Sequence, residues 1–128
     1  MVQSISKNSS WGTFRNRRGL VTQTAIRRMA QEIASRFAPQ RIMLFGSYAA
    51  GHARPDSDVD VLVIMPARNE IGQSLRIEES LDSPFSLDVV VRTPKNLARR
   101  LREGDWFLKE AVAQGKVLYE QPDEGMYD

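Results

Sequence analysis

The sequence contains no cysteine, a single histidine and no long apolar run. Without cysteine there are no disulfides and no thiolate metal sites, which fits a reducing compartment, and the cytoplasm is the expected location. With His52 as the only imidazole, a histidine-based zinc site is excluded; in its polar surroundings His52 reads as a solvated loop residue. The best apolar stretch, residues 59–65, is interrupted by Asp60 and is far too short to span a bilayer, so no membrane association is expected. No apolar h-region opens the chain, so a secretory leader is not expected either. The sequence has no Gly-x-x-x-x-Gly-Lys-[Ser/Thr] run, and the spacing of Gly46 and Gly51 does not make a dinucleotide fingerprint.

Acidic residues are also missing from the first 28 positions, which hold Lys7, Arg15, Arg17, Arg18, Arg27 and Arg28. The net charge of +2 therefore hides a basic head on a mildly acidic body. Such a head could touch RNA or an acidic partner, although a solvated terminus is the simpler reading. Residues 1–20 are polar and aperiodic and are expected to be a flexible basic segment. Residues 21–121 are expected to form one domain, and 122–128 a frayed tail. At 128 residues the chain is long enough to bury a core without covalent staples.

Within that domain, apolar and charged residues alternate between helical and strand periods. In 22–37, Ile26, Met29, Ala30, Ile33, Ala34 and Phe37 fall on one helical stripe, with Thr22 as N-cap and Pro39 beyond the end. Residues 41–46 read as a buried strand closed by Gly46, and 47–51 as a helical turn. A Pro-Asp loop follows at 52–57. Residues 58–65 read as a second strand, and 70–81 as a helix with Ile71, Leu75 and Ile77 partly in period. A third strand is expected at 85–92, a basic helix at 95–102, a helix capped by Asp105 at 105–114, and a last strand at 116–120. Trp106, Phe107 and Val112 read most simply as core, with a partner-docking face as the alternative; Arg99, Arg100 and Arg102 read as a solvated helix face, with a basic contact to nucleotide phosphates or an acidic partner as the alternative. The class is α/β or α+β, a small mixed sheet with flanking helices.

Three carboxylates stand out against this pattern. Aspartate is depleted in strands, and burying one is costly without compensation. Asp58 and Asp60 nevertheless open the second strand, and Asp88 lies in the third, within Leu87-Asp88-Val89-Val90-Val91. Side chains alternate along a strand, so Asp58 and Asp60 share a face. Neighbouring carboxylates repel unless a cation sits among them. Oxygen ligands suit Mg²⁺ or Mn²⁺, and three carboxylates can hold two ions around a phosphoryl group. Gly46-Ser47, at the end of the first strand, would let backbone approach a phosphate and offers a hydroxyl.

The segment Leu44-Phe45-Gly46-Ser47-Tyr48-Ala49-Ala50-Gly51, followed by Pro55-Asp56-Ser57-Asp58-Val59-Asp60-Val61-Leu62-Val63-Ile64, resembles the signature of the DNA polymerase beta-like nucleotidyltransferases, in particular their minimal nucleotidyltransferase group. The resemblance is strong over residues 41–92 and extends to Gly104-Asp105-Trp106-Phe107-Leu108 and Gly115-Lys116-Val117-Leu118-Tyr119-Glu120. It implies the polymerase beta-like fold, with Gly46 and Ser47 holding a nucleoside triphosphate. Asp58, Asp60 and Asp88 would be the catalytic metal ligands, and Asp88 would help to activate the acceptor hydroxyl. The implied reaction transfers AMP from ATP. For this group it also implies an acceptor on a partner, a tyrosine of a HEPN-domain toxin, with the chain acting as antitoxin. Two alternatives stay open: transfer to a small molecule such as an aminoglycoside, in a cleft made by a homo-oligomer, and a catalytically silent antitoxin acting by contact alone. The silent reading is motivated by Ala50, where many members carry arginine.

Overall fold

The computed structural model describes residues 11–122. Expectations for residues 1–10 and for the tail after Pro122 fall outside them. Five helices and four strands follow in the order α1 (Gln23–Phe37), β1 (Arg41–Phe45), α2 (Ser47–Ala50), β2 (Val59–Ile64), α3 (Glu70–Leu81), β3 (Leu87–Arg92), α4 (Pro94–Arg102), α5 (Trp106–Gln114) and β4 (Lys116–Glu120). The strands form one mixed sheet, ordered β3-β2-β1-β4. β1 runs antiparallel to β2 and β4, while β2 and β3 are parallel. This is the mixed sheet with flanking helices expected from the sequence.

Local chemistry sets the element boundaries. Thr22 accepts a hydrogen bond from the Ala25 N–H, and Ala38 ends α1 in the left-handed region. Asn69, Thr93 and Asp105 cap α3, α4 and α5 in the same side-chain manner. The exposed edge of β3 is partly closed by α3, because the Val89 N–H donates to Glu78 Oε2 at 2.8 Å.

Alternation along the strands divides the interior into two layers. Ile42, Leu44, Val59, Val61, Val63, Val89 and Val91 point to the face covered by α1 and α3, where they meet Met29, Ile33, Ile77 and Leu81. Met43, Phe45, Leu62 and Ile64 point to the other face, against Leu108 and Ala111 of α5 and Leu97 and Leu101 of α4. β2 lies inside both layers, and each of its residues except Asp60 is buried.

Two packing expectations fail. On α3 the buried pair is Ile77 and Leu81, whereas Ile71 and Leu75 are 73% and 54% exposed. Trp106 and Phe107, read as core, stand outside it: Trp106 is 75% exposed and Phe107 48%. In the first turn of α5 only Leu108 faces inward; Phe107 instead sets its ring edge-on to Phe45, 5.5 Å between centroids. Val112 is partly buried against the smaller layer.

The basic head also departs from expectation over residues 11–20, which lie against the domain. Trp11 is buried in the main core, with its ring 5.5 Å from that of Phe85 and its indole N–H donating to Glu32 Oε1 at 2.9 Å. Phe14 packs on the same Phe85 ring. Its carbonyl receives the Thr22 N–H at 2.9 Å, closing a small loop with the Arg15–Val21 bridge. Two isolated aromatics without a period give no sequence signal, yet each fills a hollow in the body. Truncating a buried tryptophan leaves a large cavity, so Trp11→Ala is expected to lower unfolding stability by roughly 3 kcal/mol. Urea denaturation monitored by circular dichroism would read this; an unchanged midpoint would mean that the segment is only an appendage.

Candidate active site

The sheet brings the three singled-out carboxylates to one end. In the β1–β2 register Phe45 lies opposite Asp60, and in the β2–β3 register Asp60 lies opposite Asp88. Asp58, Asp60 and Asp88 therefore share the face that carries Leu62 and Phe45, away from α1. Asp58 stands just before β2, and its carboxylate accepts a hydrogen bond from the Ser86 hydroxyl. Ser86 also receives the Val59 N–H on its carbonyl, at 2.9 Å. Ser86 precedes β3, and an isolated serine next to a strand offered nothing to single it out. Asp58 and Asp88 are exposed and Asp60 half-buried, so the expectation of a buried cluster holds only for the middle residue. The strands end there, and solvent reaches the outer two.

Asp60 bears the electrostatic consequence. Burial first, then the carboxylates of Asp88 and Asp58, pushes its carboxyl up to about 6. An aspartate so placed loses its proton less readily than usual, because its surroundings resist a third negative charge. A divalent cation would relieve that repulsion, so the residues suit a metal bound by oxygen ligands. The side chains do not close round one ion as they stand: among the described residues no three carboxylate, histidine or cysteine groups converge to that degree, and Asp58 is turned onto Ser86.

Gly46 brings the phosphate-side turn against this cluster. Its φ of +76° and ψ of −155° lie in a region open essentially to glycine alone. A Cβ placed there would overlap Asp60 Oδ2. The Gly46 carbonyl accepts from the N–H groups of Ala49 and Ala50, at 3.1 and 3.0 Å. That leaves the N–H groups of Ser47 and Tyr48 as the spare donors of the first turn of α2. The hydroxyl of Tyr48 accepts the Val21 N–H at 3.0 Å. Arg15 donates to the Pro55 carbonyl at 3.3 Å, so the head segment touches both the turn at Gly46-Ser47 and the loop leading into Asp58. Neither Tyr48 nor Arg15 carried a signal in the sequence beyond its position.

The remaining candidates keep apart from this end. His52 is exposed on its loop. Arg99 pairs with Glu103 and Arg100 with Asp105, each at 3.1 Å, consistent with a locally neutralised helix face. Glu70 fastens the start of α4. Burial would raise its carboxyl, but the Thr93 N–H, the Asn96 amide and Arg92 together hold it below the usual range.

Two outcomes follow from this geometry. Because Asp60 is raised in the folded chain, it binds more protons there than in the unfolded chain between about 3.8 and about 6. Without divalent metal, stability is expected to fall as pH rises through that window, and Asp60→Asn to flatten the profile. Thermal unfolding in EDTA across pH 4 to 7 measures it, and a wild-type slope of opposite sign would contradict the electrostatics. Gly46→Ala meets both positive φ and the Asp60 carboxylate, and is expected to cost about 2 kcal/mol; chemical denaturation reads the loss.

Comparison with known proteins gives these features a context. Residues 26–119 match the nucleotidyltransferase domain family. The chain is 37% identical over 59 residues to the protein adenylyltransferase MntA of Thermococcus cleftensis, a match covering 46% of this chain and 60% of that relative. The matched stretch is thus less than two thirds of the relative's length. Similar solved structures include a toxin-antitoxin with AMP-PNP (TM-score 0.49, 24% identity, 74% of this chain and 73% of that one). A nucleotidyltransferase from Sulfolobus solfataricus, itself described as putative, aligns with a TM-score of 0.46 at 23% identity, over 58% of this chain and 68% of that one. The matched span includes β1, the Gly46-Ser47 turn and all three carboxylates, and the chain belongs to the nucleotidyltransferase domain family.

Proposed function

We propose that this chain transfers a nucleoside monophosphate, AMP from ATP, to a hydroxyl on a partner protein, breaking the bond between the α- and β-phosphates and releasing pyrophosphate. The observation that carries the reading is the half-buried Asp60, set between Asp58 and Asp88 with Gly46 against its carboxylate. In this reading Asp58, Asp60 and Asp88 hold Mg²⁺ or Mn²⁺. The bound metal would screen the phosphates and stabilise charge on the attacking and leaving oxygens. The Ser47 hydroxyl and the spare N–H groups of Ser47 and Tyr48 hold the triphosphate. Ser86 steadies Asp58. Asp88, exposed at the edge, accepts the proton of the attacking hydroxyl on a carboxylate oxygen.

The acceptor is proposed on narrower grounds. The relative from Thermococcus cleftensis bears the name of a protein adenylyltransferase, which favours a protein over a small molecule. The described residues offer no second domain to bind an acceptor. By the resemblance drawn from the sequence, that acceptor is a tyrosine of a HEPN-domain toxin, with this chain as its antitoxin in the cytoplasm. Among the described residues no helix is long and apolar enough to cross a membrane. By the same resemblance α2 lacks, at Ala50, the arginine that many members carry, which favours a second reading in which the chain neutralises its partner by contact alone.

Incubation with α-labelled ATP and Mg²⁺, with and without a candidate HEPN-domain partner, followed by intact mass of both chains, separates these. A partner heavier by AMP units is expected, with transfer reduced roughly 100-fold or more in Asp60→Asn. Neutralisation of the partner by wild type and Asp60→Asn alike, with no mass added to either chain, would establish the contact reading instead.

A further inference from the structure

A hollow of about 580 Å³ lies on the opposite side of the Gly46-Ser47 turn from the carboxylates. It is bounded by the head segment, the start of α1, the turn itself and the start of β4. None of Asp58, Asp60 and Asp88 lines it. Its apolar lining comprises Leu20, Val21, Ile26, Leu44, Val117 and Leu118; Val21, Ile26 and Leu44 are buried behind it, whereas Leu20 and Leu118 are partly exposed and Val117 is 52% exposed. Its cations are Arg18, Arg27 and Lys116, all exposed. Among the described residues none of the three has an ion-pair partner, and no aspartate or glutamate lines the hollow. Gln23 and Ser47 add hydrogen-bonding groups.

Single arginines on an open surface are ordinary. Three cations without a counter-charge around a concave apolar surface are not, because their fields add in the hollow and favour an anion there. The volume falls within the range of small-molecule sites, which combine apolar walls with a few polar anchors. A chain segment or a folded partner would need a longer surface. The chemistry asks for a small molecule with a phosphate at one end and a flat, weakly polar body at the other.

We infer that this hollow is a second site, for a mononucleotide: phosphate against Arg18, Arg27 and Lys116, and base over Leu20, Val117 and Leu118. The inference does not rest on the proposed transfer reaction. The two sites differ in a way that can be tested. The carboxylate end repels phosphate unless a divalent cation is present, whereas the hollow supplies its own positive charge. Ser47 borders both, so occupancy of the hollow bears on the turn that faces the carboxylates.

The experiment is calorimetric titration of the full chain with AMP in EDTA at low salt, with inorganic pyrophosphate in parallel. One saturable site for AMP is expected, weakened about tenfold or more in Arg18→Gln/Arg27→Gln, weakened in Lys116→Gln, and unchanged in Asp60→Asn. The three cations are exposed, so the variants are expected to keep the wild-type thermal midpoint; Lys116→Gln serves alone if the double variant does not. Absence of binding in EDTA, indifference to the cation substitutions, or loss in Asp60→Asn would overturn the site. Pyrophosphate binding as tightly as AMP would overturn its assignment to a nucleotide. Failure of the transfer reading would show separately, as absence of label on the partner in Mg²⁺.

Discussion

The register between β1 and β2 governs the candidate active site. With Phe45 opposite Asp60, the chain leaving β1 must turn at Gly46 directly against the Asp60 carboxylate. A slip of one residue would exchange the faces of β2. Asp60 would then enter the layer of Val61, Val63, Met29 and Ile33, where no cation could reach it. Both layers resist that slip, because Val59, Val61 and Val63 fill one and Leu62 and Ile64 the other. Parallel pairing with β3 then sets Asp88 opposite Asp60. The apolar core is thus what holds three mutually repelling carboxylates on one face.

Much of this was legible in the sequence because strand periodicity and charge anomaly reinforce each other. Asp58-Val59-Asp60 shows the shared face directly, and Gly46 closes the strand before it. Capping residues Thr22 and Asp105 marked helix starts for the same local reason. What stayed hidden depends on contacts between distant segments. Trp11 and Phe14 find Phe85 more than 70 residues away, a contact that no local period reports. Trp106 and Phe107 looked like core by composition, yet the rotation of α5 is set by Leu108 and Ala111. Ile71 and Leu75 fail likewise, because α3 is anchored by Ile77 and Leu81. The degree of burial was also misread: an aspartate in an apolar strand suggests an interior position, whereas Asp88 lies at the exposed end of β3.

The two faces of the sheet are used differently. The face with α1 and α3 carries the larger core, and the one with α4 and α5 a smaller one that runs out at Phe45. In the proposed reading the carboxylate cluster needs access for a cation and a substrate, which fits its place where cover is thin. Phe107, half-exposed and edge-on to Phe45, marks the boundary between the packed part of that face and the open part. The energetic strain of the cluster, visible in the raised Asp60, is carried by a central strand whose other residues are all buried.

The head segment adds a further layer of control. Residues 11–22 all precede the span matching the family, yet Val21 binds Tyr48 on α2 and Arg15 reaches Pro55 in the loop before Asp58. The segment is fixed by Trp11 and Phe14 on one side of the body and touches the two elements that carry Ser47 and Asp58 on the other. Those elements are short: α2 is one helical turn, and most residues of the 51–58 loop are exposed. Short elements of this kind open locally at low cost unless something outside them supplies packing. Docking of the head supplies it. The positions of Ser47 and Asp58 are therefore set partly by residues outside the candidate site, through the Val21–Tyr48 and Arg15–Pro55 hydrogen bonds.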